Sequence, residues 1–432
     1  MTLLSNYDKI IFDNFLNEVS IMQVSIDTII PALSITVSLA EMSVEKVVRE
    51  NLNGVTIQDI ELDNSTYHSR RASYIALQLG KALNLNESSY KDLYMCSLLH
   101  DIGYGNVLYK NYSADEIISK HCIEGADIVK HIPKICYLSD AILYHHEHWD
   151  GNGVFQIKGD SIPIISQILR ISDIIDSEYS TLLPYFKQKD KIKELILENV
   201  NKIFSQKIYE AFLKVSHTDE FWLNLANNRY LELVLKDLIP SIDIKLDIHE
   251  LISIGEIFAD MIDAKSTFTA THSRGIAELA YLVSKHLGYD DEKCLKMKIA
   301  GLFHDIGKLA IPSYILDKNG PLDGDEFSMI KSHVYFTRLI LSSMNGIEEI
   351  CDWASNHHEK LNGNGYPRGV VDNWLSEECR VMAVCDIYQA LTEDRPYRKG
   401  MNKGMAFSIL DSMVEDGSVC ATAVNNLKNA IG

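Results

Sequence analysis

A chain of 432 residues is long enough for two or three domains that each bury their own core. Its 60 acidic residues against 41 basic ones leave a formal net charge of −19, which argues against duplex DNA, other long nucleic acids and an anionic membrane surface as partners. A small phosphate ligand stays compatible with this balance, because it needs only a local cluster of basic groups.

Apolar residues fall at intervals of three and four almost throughout and prolines number only nine, so the expected fold is all-α. Residues 1–60 are expected to form several helices ahead of His68, and residues 68–175 a first helical core. Amphipathic helices between Lys189 and Leu238, Phe204–Val215 among them, run up to a break at Pro240. A connecting helix from about Ile248 to Ile262 leads into a second core, which divides the chain into domains 1–239 and 240–432. The N-terminus lacks a basic segment followed by an apolar run, and no stretch is expected to reach the ~20 apolar residues of a membrane span. The eight cysteines stand singly, without a Cys-x-x-Cys pair, and read as reduced core residues of a cytoplasmic protein.

The histidines reveal a repeat. His68 to His100 and His272 to His304 are both 32 residues apart, and Asp101 and Asp305 follow directly in Leu-Leu-His-Asp-Ile-Gly and Leu-Phe-His-Asp-Ile-Gly. His121 and His333 come next, each 24 residues before a pair, His145-His146 and His357-His358. Asp173 and Asp386 close the series 27 and 28 residues after those pairs. Ten of the fifteen histidines belong to this scheme, too many to be coincidence, so two tandem helical domains of common origin are expected.

Leu295, Ile299, Leu302, Phe303 and Ile306 recur at helical spacing and carry His304 and Asp305 toward the interior. A buried carboxylate needs a partner or a metal. In the second half His272, His304, Asp305, His333, His357, His358 and Asp386 offer five imidazoles and two carboxylates, enough for two divalent ions bridged by Asp305. Mixed imidazole and carboxylate ligation suits iron or manganese. Two ions about 3.5–4 Å apart activate water and clamp the oxygens of an in-line phosphoryl displacement, so phosphate-ester hydrolysis is the expected chemistry. Lys308, four residues after His304, faces the ions if the helix continues and would stabilise phosphate or protonate the departing oxygen; Gly307 stands where the helix could instead end. By spacing alone a solvated lysine is nearly as good a reading.

The second half resembles the HD-GYP family of cyclic dinucleotide phosphodiesterases, within the HD metal-dependent phosphohydrolases. The matching pieces are His304-Asp305-Ile306-Gly307-Lys308, Ile311-Pro312 with Ile315-Leu316, His333, His357-His358-Glu359, Gly363-Asn364-Gly365-Tyr366-Pro367, Asp386 and Asp394-Arg395-Pro396-Tyr397-Arg398. The resemblance implies that the histidines and aspartates above bind metal, that Asp305 and Lys308 are catalytic, and that Lys308, Tyr366, Arg395 and Arg398 meet the substrate. Phe268 stands where three-metal members carry a glutamate, which implies two ions and a linear dinucleotide as product.

The first half keeps a full candidate ligand set, His68, His100, Asp101, His121, His145, His146 and Asp173. Tyr104 replaces the lysine, Val154-Phe155 follow Gly153 in place of Tyr-Pro, and Leu182 and Tyr185 fall at the arginine positions. This half is read as regulatory or dimerising, ahead of a second hydrolase with another phosphate substrate. The leading function is hydrolysis of cyclic di-GMP in the second domain; the alternatives are a 3'3'-cyclic GMP-AMP phosphodiesterase and a non-catalytic, metal-dependent cyclic dinucleotide sensor. A homodimer, and a diguanylate cyclase or other signalling partner, are the protein partners left open.

Overall fold

Short polar side chains write the helix starts. Asn86, Asp290 and Ser376 each accept a backbone N–H from the first turn of the helix they precede, and Ser113 with Glu116, Asp247 with Glu250 and Asp323 with Glu326 form reciprocal capping boxes. Each cap pairs a donor that the helix cannot satisfy internally.

The computed structural model describes residues 22–51, 61–107, 112–266, 272–394 and 399–432. After β1 (Val24–Ser25) come α1 (Ile26–Asn51), α2 (Glu61–Ala82), α3 (Glu87–Leu99), a one-turn helix Tyr104–Val107, α4 (Ala114–His131) and α5 (Ile164–Glu178). Shorter helices between Lys189 and Lys236 follow, with Gln206–Ser216 standing where Phe204–Val215 was expected. The second half repeats the order: β2 (Lys245–Leu246), α6 (Ile248–Lys265), α7 (His272–His286), α8 (Asp291–Phe303), a 3-10 turn Ile306–Ala310, α9 (Gly324–Leu341) and α10 (Glu377–Thr392). The fold is all-α, as expected, and its only strands among the described residues pair antiparallel, Val24 with Leu246 and Ser25 with Lys245. Of the helices expected before His68, α1 and the start of α2 are seen, while residues 1–21 and 52–60 lie outside the described residues.

The two halves interlock through α1 and α6. Helix α1 packs on α2 and α3 and also on the turn Ile306–Ala310 of the other half; α6 packs on α8 and that turn, and reaches Tyr104–Val107 and α4 of the first half. One hydrophobic core therefore runs continuously through the chain. Ile26, Ile29, Ile30, Leu33 and Val37 of α1 are all buried, each contributing roughly 1.5–3 kcal/mol of burial. This double cover corrects one expectation: the segment Ile26–Ser43, with mean hydropathy 1.3, is long and apolar enough to cross a bilayer, yet 61% of it is buried inside the protein. Its apolar character is that of a helix covered from two sides. A second correction concerns the cysteines: all are unpaired, but Cys136 is exposed, because in the turn Cys136–Leu138 the buried side chain is Leu138.

Candidate metal centre

Helix α8 stops at Phe303, and His304 caps it. Asp305 then leads into the 3-10 turn, so Lys308 does not ride on a continuing α-helix as the spacing allowed. The tighter turn still brings it to the centre, with Nζ 2.5 Å from Asp305 Oδ2. Gly307 is required here by close approach, since a Cβ would collide with the His333 carbonyl oxygen on α9.

Three imidazoles are fixed in one tautomer by backbone carbonyls. His304 Nδ1 lies 2.8 Å from Gly301 O, His333 Nδ1 2.5 Å from Ile330 O, and His357 Nδ1 2.6 Å from Ala354 O. A carbonyl only accepts, so each Nδ1 donates and each Nε2 presents a lone pair inward. Those three nitrogens and His272 Nε2 surround Asp305: Oδ2 is 3.1 Å from His304 Nε2 and 3.8 Å from His272 Nε2, while Oδ1 is 3.3 Å from His333 Nε2 and 3.9 Å from His357 Nε2. Asp386, from α10, completes the ring with Oδ1 3.2 Å from His272 Nε2 and Oδ2 3.7 Å from His358 Nδ1.

This arrangement fits metal. His304 Nε2 and Asp305 Oδ1 are buried without any hydrogen-bond partner, a costly condition for polar atoms that a cation relieves. His272, His304 and Asp386 form one compact ligand group and His333, His357 and His358 another, with Asp305 between them. Electrostatics agree. Burial alone would raise the Asp305 carboxyl, but the neighbouring His304 and the Lys308 ammonium hold it well below the usual carboxylate range. Burial pushes His358 down to about 3 and His357 well below its ordinary value, so both stay neutral and able to ligate. His272 moves the other way: burial disfavours its charge, yet hydrogen bonds with Asp386 and Glu393 carry it up to about 9.

The structure thus gathers His272, His304, Asp305, Lys308, His333, His357, His358 and Asp386, with the Tyr366 ring 4.8 Å from that of His358. Arg395, Arg398 and Phe268 lie outside the described residues. Three residues to which the sequence reading gave no role support the centre. Glu393 Oε2 sits 3.2 Å from His272 Nδ1 and orients that ring. Thr337 ties α9 to the His304 carbonyl. The buried Glu359 accepts the N–H groups of Arg368 and Val370 and so shapes the loop that carries Tyr366. A signal for Glu359 was present in the His-His-Glu run; none marked the other two.

The first half reproduces the plan. Asp101 Oδ2 is 3.2 Å from both His68 Nε2 and His100 Nε2, and Oδ1 is 3.6 and 3.8 Å from His121 and His145 Nε2. Asp173 Oδ1 lies 3.9 Å from His68 Nε2. The local chemistry differs: Tyr104 packs its ring 4.4 Å from that of His121, Cys122 enters the group formed with His121, His145 and His146, and Arg170 contacts His146.

The chain belongs to the HD domain family, whose pattern it matches over residues 56–196 and 256–419, once in each half. It is 29% identical over 381 residues to the 3'3'-cGAMP-specific phosphodiesterase 1 of Vibrio cholerae serotype O1, covering 85% of this chain and 86% of that protein. It is 37% identical over 140 residues to the cyclic di-GMP phosphodiesterase PA4108 of Pseudomonas aeruginosa, 32% of this chain and 34% of that one. The crystal structure of V-cGAP3, a cyclic GMP-AMP specific phosphodiesterase of V. cholerae, shares the fold with a TM-score of 0.63 at 22% identity, over 95% of this chain and 98% of that chain.

Proposed function

We propose that this chain is a metal-dependent phosphodiesterase of the HD-GYP type that opens a cyclic dinucleotide to a linear one in its second domain, 240–432. The observation that carries the reading is the two-faced Asp305 carboxylate, with Oδ2 toward His272 and His304 and Oδ1 toward His333 and His357, amid buried unpartnered atoms. The donor set fits two divalent ions, iron or manganese, on His272, His304, Asp305 and Asp386 and on Asp305, His333, His357 and His358. When bound, such a pair supplies an activated water and positive charge against the phosphoryl oxygens. Lys308, held on Asp305 Oδ2 and partly open to solvent, is placed to hydrogen-bond the phosphate and protonate the departing oxygen. Tyr366 forms a wall beside His358. Arg395 and Arg398 are assigned to the substrate phosphates by family resemblance and by the fork geometry of guanidinium.

Among cyclic dinucleotides we rank 3'3'-cGAMP first, ahead of the cyclic di-GMP favoured from sequence. The relative aligned across both halves is specific for 3'3'-cGAMP, whereas the cyclic di-GMP relative aligns over 140 residues. The first domain, 1–239, is assigned a regulatory or dimerising role. The unpaired cysteines support a cytoplasmic setting. Turnover of the metal-reconstituted chain on a panel of cyclic dinucleotides tests the proposal, with a linear dinucleotide as the expected product. Tight nucleotide binding without bond cleavage under any metal would instead make the protein a sensor.

A further inference from the structure

The repeat allows the two centres to be compared residue by residue. Asp173 corresponds to Asp386 and His146 to His358, so Arg170, one helical turn before Asp173, stands where the second half has Ala383. The alanine is buried and brings no polar group to its neighbours, and His358 Nδ1 and Asp386 Oδ2 face one another at 3.7 Å. In the first half a guanidinium stands at that place. Arg170 Nη1 is 2.9 Å from His146 Nδ1 and 3.4 Å from Asp173 Oδ2.

Guanidinium is always charged and offers only donors, so His146 Nδ1 must be the acceptor in this contact. Its lone pair is thereby used, and Asp173 Oδ2 is neutralised by the same cation. The opposite end of the centre keeps its donors: His68 Nε2, His100 Nε2 and Asp101 Oδ2 cluster together, with Asp173 Oδ1 close to His68. We propose that the first half is a one-ion centre, holding a divalent cation on His68, His100, Asp101 and Asp173 while the Arg170 guanidinium takes the place of the second ion. Like charges at such range in a water-poor site repel strongly, so the guanidinium and a second cation exclude each other. A one-ion centre lacks the paired clamp of a two-metal hydrolase and suits a structural or sensing role.

The test uses the full-length chain with the second centre disabled by His304→Ala and Asp305→Ala, loaded with Mn(II) and desalted. Elemental analysis should find about one equivalent, and electron paramagnetic resonance the hyperfine-resolved signal of an isolated ion rather than a spin-coupled pair. Adding Arg170→Met, which keeps the stem and removes the charge, should raise occupancy to about two and produce the coupled signal. Two coupled ions with Arg170 present, or none, would overturn the assignment, as would a folded Arg170→Met chain that still holds one. Should that variant fail to fold by circular dichroism, the count with Arg170 in place decides alone.

Discussion

Gly307 and Thr337 form a clasp at the base of the candidate centre. The Gly307 N–H donates to Thr337 Oγ1 at 3.0 Å, and the same hydroxyl donates to the His304 carbonyl at 2.9 Å, so one buried side chain fixes the backbone on both sides of Asp305. Thr337→Val keeps the volume but leaves a buried N–H and a buried carbonyl unpaired. The expected loss is roughly 1–3 kcal/mol of stability. Denaturant unfolding of the metal-free chain reads it, and an unchanged midpoint would show that the clasp contributes nothing. Gly307→Ala should be worse, because the methyl has no room against the His333 carbonyl.

Glu393 holds His272 through Nδ1, opposite the nitrogen that faces Asp386. Partners of this kind set ring orientation and ligand basicity, and their removal typically lowers metal affinity about 10–100-fold. Glu393→Gln should therefore weaken metal retention against a chelator while leaving helix content unchanged. Equal retention by both proteins would remove Glu393 from the centre.

In the metal-free protein His272 is protonated at neutral pH, since hydrogen bonds with Asp386 and Glu393 overcome burial and raise it to about 9. An imidazolium cannot ligate, so metal must displace that proton. Affinity should climb with pH by roughly tenfold per unit and level off above pH about 9, with a proton released on binding. Calorimetry in buffers of different ionisation enthalpy measures that release; a pH-independent affinity between about pH 7 and 9 would contradict it.

Much of the candidate centre was legible because the side chains that meet there recur at fixed intervals in both halves. The intervals of 32 and 24 residues place His272, His304, His333 and His357 around Asp305 as the structure shows, and the same holds around Asp101. The supports were not legible, since each half solves the same problem differently. In the first half the buried Asp176, three residues after Asp173 and paired with Arg71, holds His68 Nδ1 at 2.7 Å. In the second half those two positions are Gln389 and Gly275, packed together, and the orienting acid is Glu393 instead. Periodicity also could not show that α1 is covered by both halves, because a helix buried on two sides carries no single apolar stripe.

Lys308→Ala should retain metal yet lose about 10²–10⁴-fold in rate, the usual worth of general acid assistance. Parallel measurement of metal content and turnover separates this from Asp305→Ala, which should lose both. Hydrolysis by Lys308→Ala at the unsubstituted rate would show that the ammonium beside Asp305 has no chemical role.

Both halves carry a His-Asp centre, and hydrolysis is assigned to the second. Turnover of 3'3'-cGAMP by two double variants at equal folded concentration, His100→Ala with Asp101→Ala and His304→Ala with Asp305→Ala, tests this assignment. The first should keep most of the catalytic rate, with any change showing in stability or oligomeric state, and the second should be inactive. An active second variant beside an inactive first would place the reaction in the other half and overturn the assignment.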